Sequence, residues 1–309
     1  MHTLISTAFN AALLGLFLVA FGAVFGRVHP LIDLFGQFVL PAIVGAAALA
    51  VLTALTGRYM TMTLAVAALL ANLAVASPWI TSPTPVETSG PRFKLLMLNV
   101  YYNNPRLDLA EQLIRSTNAD VVVLLEMIPR LRPAFDKIAA AYPHRLECWQ
   151  GPRCDALILS RFPLTDISSK LPPAKTRRSL ASATVEIEGR SLTLFAAHLI
   201  LPFPFTRFAT QPAQADDLAA SVASVSGPRL LVGDFNAATW SASVAKQRDS
   251  GLTALTGPGG SWPTFLPKHL GIPIDHVLTS SDLAPRSRKF INVAGSDHRA
   301  VLAEIAFKN

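Results

Sequence analysis

Arg229-Leu230-Leu231-Val232-Gly233-Asp234-Phe235-Asn236 is an apolar run that reaches a glycine and then closes on an acid and an amide. Residues 229–232 read as a buried strand, and Asp234 and Asn236 fall where the strand gives way to a loop. Strand ends adjoining loops are where an α/β scaffold carries its chemistry. Taken alone, Gly233-Asp234-Phe235-Asn236 reads equally well as a turn whose aspartate bonds its own backbone. The rest of the chain decides between the two.

The same pattern recurs outward from this stretch. Residues 93–100 form an expected strand ending in Leu98-Asn99-Val100, and residues 120–125 one ending in Leu124-Leu125-Glu126. Residues 184–187 and 192–196 flank Glu188-Gly189-Arg190 as a hairpin, after which comes Ala197-His198-Leu199. Ile274-Asp275-His276 opens a strand over 276–279, and Gly295-Ser296-Asp297-His298 precedes another over 300–306. A further strand is expected at 156–160, and helices at 107–116, 131–141 and 214–225. Strands, hairpins and helices mixed in this way imply a layered α/β sandwich rather than a simple parallel sheet. Acids, amides and imidazoles gathered at its strand ends suit a hard, oxygen-seeking cation beside a phosphate.

The order Asn99, Glu126, His198-Leu199, Gly233-Asp234-Phe235-Asn236, Ile274-Asp275, Ser296-Asp297-His298 resembles the endonuclease/exonuclease/phosphatase superfamily, from about residue 93 to residue 305. Three stretches, Ser160-Arg161-Phe162-Pro163-Leu164, Ser261-Trp262-Pro263-Thr264 and Ile272-Pro273-Ile274-Asp275-His276, are similar to its membrane-bound bacterial, VanJ-like branch. The resemblance implies a DNase-like four-layer α/β sandwich and metal-dependent hydrolysis of a phosphoester. It also implies roles for the matching residues. Glu126 would be the principal ligand of Mg2+ (or Mn2+), with Asn99 close to metal and phosphate, and Asp297 an additional metal or site-organising acid. Asp234 would orient or deprotonate the attacking water, and Asn236 would donate to the phosphorus centre. His298 would bond the scissile phosphate, Asp275 would fix its tautomer, and His198 would make a second phosphate contact. One position departs from the pattern: Tyr101 stands where many nucleases of the superfamily have an acid or an asparagine, so nuclease activity is not implied. A non-catalytic sensor on the same fold is the contrasting reading; intact Glu126, Asp234 and His298 argue against it.

Ahead of this domain the chain is of a different character. It is 51% apolar overall, with a mean hydropathy of +0.39, and the excess sits in residues 4–25, 34–56 and 60–80. Each run reaches the ~20 residues that cross a hydrocarbon core. The first lacks the basic start of a signal peptide and exceeds such a peptide's apolar core, so three transmembrane helices are expected in residues 1–80. Residues 81–91, rich in Pro, Ser and Thr, read as a linker, and residues 92–309 as the catalytic domain. The formal charge of +7 lies mostly outside the anchor, whose charged residues are Arg27, Arg58 and Asp33. That balance favours phosphorylated or otherwise polyanionic partners without choosing among them. Anchoring makes a lipid-linked phosphate the preferred substrate class over nucleic acid, and the bilayer the evident partner. Leu201-Pro202-Phe203-Pro204-Phe205-Thr206-Arg207-Phe208 follows His198 and forms either an apolar wall toward lipid or simple packing under a loop. Cys148 and Cys154, the only cysteines, flank a Gly-Pro turn and are either bridged or two reduced thiols. A bridge would place the domain on the periplasmic or extracellular side.

Overall fold

A computed structural model describes residues 2–82, 87–148, 155–170, 180–203, 207 and 209–309. Four helices open the chain: α1 (His2–Phe25), α2 (Pro30–Gly36), α3 (Val39–Leu55) and α4 (Tyr59–Ile80). The domain follows with β1 (Arg92–Asn99), α5 (Leu107–Thr117), β2 (Val121–Leu125), α6 (Arg132–Ala139), β3 (His144–Glu147), β4 (Leu157–Ser160), β5 (Leu164–Lys170) and β6 (Leu180–Ile187). It continues with β7 (Arg190–His198), α7 (Thr210–Ala223), β8 (Arg229–Asp234), α8 (Ala242–Asp249), β9 (Thr253–Ala254), β10 (Asp275–Thr279), β11 (Leu283–Ile291) and β12 (Ala300–Phe307).

The strands form two six-stranded sheets, ordered β11-β12-β1-β2-β4-β3 and β5-β6-β7-β8-β10-β9. Alternate residues of each strand turn inward. Phe93, Leu95 and Met97 of β1 meet Leu194 and Ala196 of β7 and Leu230 and Val232 of β8 in a shared apolar layer between the sheets. The other face of the first sheet, with Leu96 and Leu98, is covered by Ala110 and Ile114 of α5 and Phe135 and Ile138 of α6. Phe195 and Leu231 on the second sheet are covered by Ala215, Leu218 and Val222 of α7 and by Val244 of α8. The result is a helix–sheet–sheet–helix sandwich, as expected. The short strands β3, β5 and β9, the long β11 and helix α8 were not anticipated; β5 and β11 carry register shifts that interrupt a clean alternation.

The second expected span, residues 34–56, is not one helix. α2 and α3 meet at a bend of 55°, so among the described residues α1 and α4 alone are long and apolar enough to cross a membrane, with a third span if the bent pair counts as one. The break has a polar cause. Gln37 turns its amide back onto the Asp33 carbonyl and carboxylate, at 3.0 and 3.3 Å, and both side chains then bond the catalytic domain. α1 and α4 run parallel, since Arg58 bonds Ser6 and Asn72 bonds the Leu16 carbonyl. α3 returns between them, with Leu49 beside Leu13 and Ala65. Arg58 therefore shares one end of the bundle with the N-terminus, while Arg27 pairs with Asp249 of the domain at 2.9 Å, at the other end.

The bundle docks directly on the domain. Val39, Leu40 and Ala76 form one buried cluster with Ala238, Trp240, Ile272 and Ile274, and Trp79, Ile80 and Trp262 pack against it. Between the helical bundle and the domain, Thr81 accepts a bond from Thr256, and Thr88 donates to the Phe307 carbonyl at 2.7 Å.

Candidate active site

Register brings the polar strand ends to one edge. β1 and β2 are parallel, with Asn99 opposite Leu125, so Asn99 and Glu126 emerge together. β7 and β8 are parallel with His198 opposite Asp234, and β10 runs back against β8 with Asp275 opposite the same Asp234. β12 runs antiparallel to β1, which returns the 296–298 turn to the end where β1 finishes. All eight residues expected from the sequence converge here.

Asp234 is the hub. Its Oδ2 accepts from Asn99 Nδ2 at 3.0 Å and lies 3.5 Å from His198 Nε2 and 3.7 Å from His298 Nε2. The same Asn99 nitrogen donates to Glu126 Oε1 at 3.2 Å, while Glu126 Oε2 accepts the Tyr102 N–H at 3.0 Å. Asn236 donates to the Leu199 carbonyl at 2.9 Å and lies 3.5 Å from His198 Nε2. Asp297 is the outermost member: its Oδ2 accepts the Trp262 indole N–H at 3.0 Å, and its Oδ1 is 4.0 Å from His298 Nε2. Asn99, His198, Asp234, Asp275 and His298 are all buried.

Each imidazole is held by a carboxylate on its Nδ1. Asp275 Oδ2 lies 2.8 Å from His298 Nδ1, and Asp155 Oδ2 lies 2.8 Å from His198 Nδ1. Burial on its own pushes the His298 imidazolium toward losing its proton. The charges of Asp275 and Asp234, the bond to Asp275 and the charge of Asp297 outweigh burial and raise its pKa to about 10. The neighbouring His276 is the opposite case. Burial lowers it to about 4, so it is neutral and spends Nε2 on the Ala237 carbonyl at 2.7 Å.

The site also holds its backbone in an uncommon state. Tyr101, Glu126 and Asn236 have φ of 62°, 59° and 48°, in the left-handed region that non-glycine residues seldom occupy. The Tyr101 turn aims the Tyr102 N–H at Glu126, whereas Asn104 caps the same loop, donating to the Val100 carbonyl at 2.9 Å and accepting from Arg106 N–H at 2.7 Å.

A hard divalent cation fits this donor set. Glu126 and Asp234 are drawn together by one amide, with Asp297 at the rim, which gathers the oxygen donors that hard divalent cations take. Asp234, Asp275 and His298 also offer ligand atoms within 4.8 Å of one another. Two of these residues already face each other through the 2.8 Å Nδ1–Oδ2 bond, so the Glu126 side is the better cradle.

Three positioning residues escaped the sequence reading. Asp155 lies just before β4, where a strand begins, so the strand-end pattern that marked Glu126 does not mark it. Ser296 links the two halves, donating to the Asn99 carbonyl at 2.7 Å and accepting from His298 N–H at 3.0 Å. Gln211, on α7, donates to the carbonyls of Ile200, Phe235 and Asn236 at 2.9, 3.1 and 3.0 Å; no local signal marks a helical glutamine for that task. Of the aromatic loop, Phe203 is exposed, and Phe205 and Phe208 lie outside the described residues. Cys148 is disulfide-bonded, and Cys154 lies outside the described residues.

The comparisons agree with this geometry. A model of the Endonuclease/Exonuclease/phosphatase family matches residues 98–298, which spans the site from β1 to His298. No curated protein matches the chain. Among solved structures, the endonuclease/exonuclease/phosphatase from Beutenbergia cavernae shares 20% identity at a TM-score of 0.56, over 71% of this chain and 72% of that one. Humanized D. rerio TDP2 shares 18% at 0.59, over 69% and 98%. The Neisseria 3′ phosphatase NExo, bound to a product DNA hairpin, shares 21% at 0.56, over 70% and 100%. At these identities the solved structures speak for the fold, and the family match covers more than half of the chain. With two His–Asp pairs and a Glu–Asn–Asp chain on one edge of a two-sheet sandwich, this is a metal-dependent phosphoesterase: the chain belongs to the endonuclease/exonuclease/phosphatase family.

Proposed function

We propose that the protein is a membrane-anchored hydrolase of a lipid-linked phosphoester or pyrophosphate, with its catalytic domain on the periplasmic or extracellular side, as in the VanJ-like branch it resembles. One observation carries the reading: the loops that bear the site also pack on the apolar helices. Ala238 and Trp240 follow Asn236, Ile274 precedes Asp275, and Trp262 bonds Asp297, yet all four pack with Val39, Leu40 and Ala76 of the bundle. A site on that face opens beside the bilayer surface, where headgroup phosphates lie. The apolar rim supports it. Phe203 and Phe265, 55% and 82% exposed, stand on the two loops that leave His198 and approach Asp297. Cys148 in a disulfide supports the oxidising side of the membrane.

In this reading Glu126, Asn99 and Asp297 would hold Mg2+ or Mn2+, which would supply charge neutralisation for the phosphoryl oxygens. Asp234 orients the attacking water and accepts its proton as the water oxygen bonds phosphorus and the P–O bond to the leaving group breaks. His298, carrying its proton at neutral pH, donates to a non-bridging oxygen as negative charge develops there. Asn236 donates a second hydrogen bond, and His198, held by Asp155, a third contact to the same phosphate.

The test is the full-length protein in lipid nanodiscs, assayed with Mg2+ and with chelator on lipid phosphates, lipid pyrophosphates, nucleotides and plasmid DNA. The expected result is metal-dependent release of phosphate from a lipid substrate, with Phe203→Ala slowing that reaction and leaving turnover of a soluble phosphoester unchanged. Brisk nicking of DNA with every lipid phosphate ignored overturns the lipid assignment in favour of a tethered nuclease.

A further inference from the structure

Three buried or partly buried N–H donors of the catalytic domain find their acceptors on the anchor helix α2 and on Gln37, the residue that caps its C-terminus. The Ala238 N–H donates to Gln37 Oε1 at 2.6 Å, the Ala242 N–H to Asp33 Oδ1 at 2.8 Å, and the Trp240 indole N–H to the Gly36 carbonyl. Ala238, Trp240, Asp33 and Gln37 are themselves buried. Ala242 is the first residue of α8, so the Asp33 carboxylate also sits at the positive end of that helix dipole. These donors lie in one segment, 238–242, immediately after Asn236. Within the domain the near side of the turn is held by Gln211 on the Phe235 and Asn236 carbonyls, by His276 on Ala237, and by the bonds of Asn236 to Asp234 and the Leu199 carbonyl. On the far side Ser241 donates to the Ala238 carbonyl at 2.9 Å and caps α8, and the Ala238, Trp240 and Ala242 donors are taken by the anchor.

The anchor is built to hold α2 in that place. A Cβ on Gly36 would come within 2.6–2.8 Å of the Gly22 and Ala23 backbone, and one on Gly22 within 2.5 Å of the Gly36 nitrogen, so α1 and α2 touch backbone to backbone. Glycine is costly inside a helix, and here the close approach accounts for it. Asp33 and Gln37 also bond each other, which aims both acceptors at the domain and explains two buried polar side chains in an apolar bundle. Asn236, meanwhile, sits at φ 48°, a conformation that holds only where its surroundings over-determine it.

We infer that α2 completes the active site: Gln37, with Asp33, is a positioning residue that fixes the 238–242 segment and through it Asn236. The anchor is then a part of the catalytic apparatus as well as a tether. The inference rests on the catalytic reading of Asn236 and is independent of which phosphoester the enzyme cleaves.

The experiment uses full-length protein in nanodiscs, with bis(p-nitrophenyl) phosphate and Mg2+ as probe. Gln37→Met keeps the volume and removes the acceptor; Gln37→Glu combined with Asp33→Asn exchanges acid and amide, keeping both acceptors and the bond between the two side chains. The expected result for Gln37→Met is a fall in kcat of about 10- to 100-fold with KM changed less than about twofold, since misplacing a reacting group costs rate more than binding. The exchanged pair should keep most of the wild-type rate. In an Asn236→Ala background Gln37→Met should cost almost nothing further, because both act through one group. Amide exchange across 235–242 should quicken in Gln37→Met and stay slow in the exchanged pair, whatever substrate the enzyme turns over; an inert wild type in the assay would count against the catalytic reading, and exchange alone would then decide the positioning. If Gln37→Met does not fold, Trp240→Phe removes a latch donor from the domain side and should show the same coupling to Asn236. Unchanged kcat and exchange in a folded Gln37→Met protein, or costs that simply add with Asn236→Ala, overturn the inference.

Discussion

Asn99 Nδ2 reaches from the first sheet to Asp234 Oδ2 on the second, 3.0 Å away, while its other hydrogen serves Glu126 Oε1 at 3.2 Å. One amide thus sets the distance between two carboxylates that would otherwise repel. Hydrogen bonds to charged groups are worth roughly 1.5–3 kcal/mol each, and here losing them also lets the acids part. Asn99→Ala should raise the Mg2+ concentration for half-maximal rate by about 10- to 100-fold and lower kcat in saturating metal. Metal titration of the rate checks this; an unchanged metal requirement would remove Asn99 from the metal-binding group.

Glu126 stands alone as the carboxylate on its side of that amide, with its backbone strained at φ 59°. Glu126→Gln keeps the shape and the bond to Tyr102 N–H but removes the charge. Turnover should fall by at least about 100-fold, with the thermal midpoint near wild type, and excess chelator should abolish wild-type activity. Activity that survives both treatments contradicts the assignment.

Asp155 holds His198 as Asp275 holds His298, at the same 2.8 Å. Asp155→Asn removes the negative charge and lets an amide N–H face Nδ1 of His198, which favours the other tautomer. A loss of about 10- to 100-fold in kcat is expected, as for other carboxylates that orient a functional histidine. Combined with His198→Ala, it should add little. Fully additive losses would mean that Asp155 acts on something other than His198.

Most of this site was legible because its residues close strands whose apolar runs are unmistakable: Asn99, Glu126, His198 and Asp234 each end one. Asp155 closes no apolar run but stands just ahead of the strand 157–160, so the rule that found the others did not reach it. The bend that divides α2 from α3 was hidden for a different reason. Residues 34–56 are apolar enough to read as one span, and only the distant bonds of Asp33 and Gln37 to Ala242 and Ala238 explain the break. Contacts across some 200 positions leave no periodicity to read. The layer order was legible from strand and helix alternation, whereas the pairing of β10 with β8, which sets Asp275 opposite Asp234, came from the fold itself.

His298 titrates near 10, against an ordinary 6.5, because Asp275, Asp234 and Asp297 together outweigh its burial. A raised pKa in the folded protein means that the charged imidazolium stabilises the fold. That contribution is complete below about pH 6.5 and is lost as pH rises through about 10. Catalysis by the imidazolium has the same sign, and a bound cation would draw the alkaline limb down from that limit. Asp275→Asn removes the nearest negative charge, so the limb should move to lower pH by a unit or more. The kcat profile between pH 6 and 10 measures it; a limb that stays in place would separate His298 from the pH dependence.

The proposed periplasmic or extracellular placement of the domain rests on one feature. Arg58 and the N-terminus share one end of the bundle, and the domain docks at the other with Arg27, so the basic residues divide evenly and charge does not orient the helices. The disulfide at Cys148 supports the proposed side, because such bonds persist in oxidising compartments and are rare in the cytosol. Thiol blocking of intact membranes before reduction should leave Cys148 unlabelled, and mass spectrometry should recover it joined to Cys154, the only other cysteine. A reporter active only outside the cytoplasm, fused after Asn309, should be active. A labelled Cys148 together with a reporter that works only in the cytoplasm would invert the topology, leave the hydrolase chemistry intact, and point to substrates of the inner leaflet.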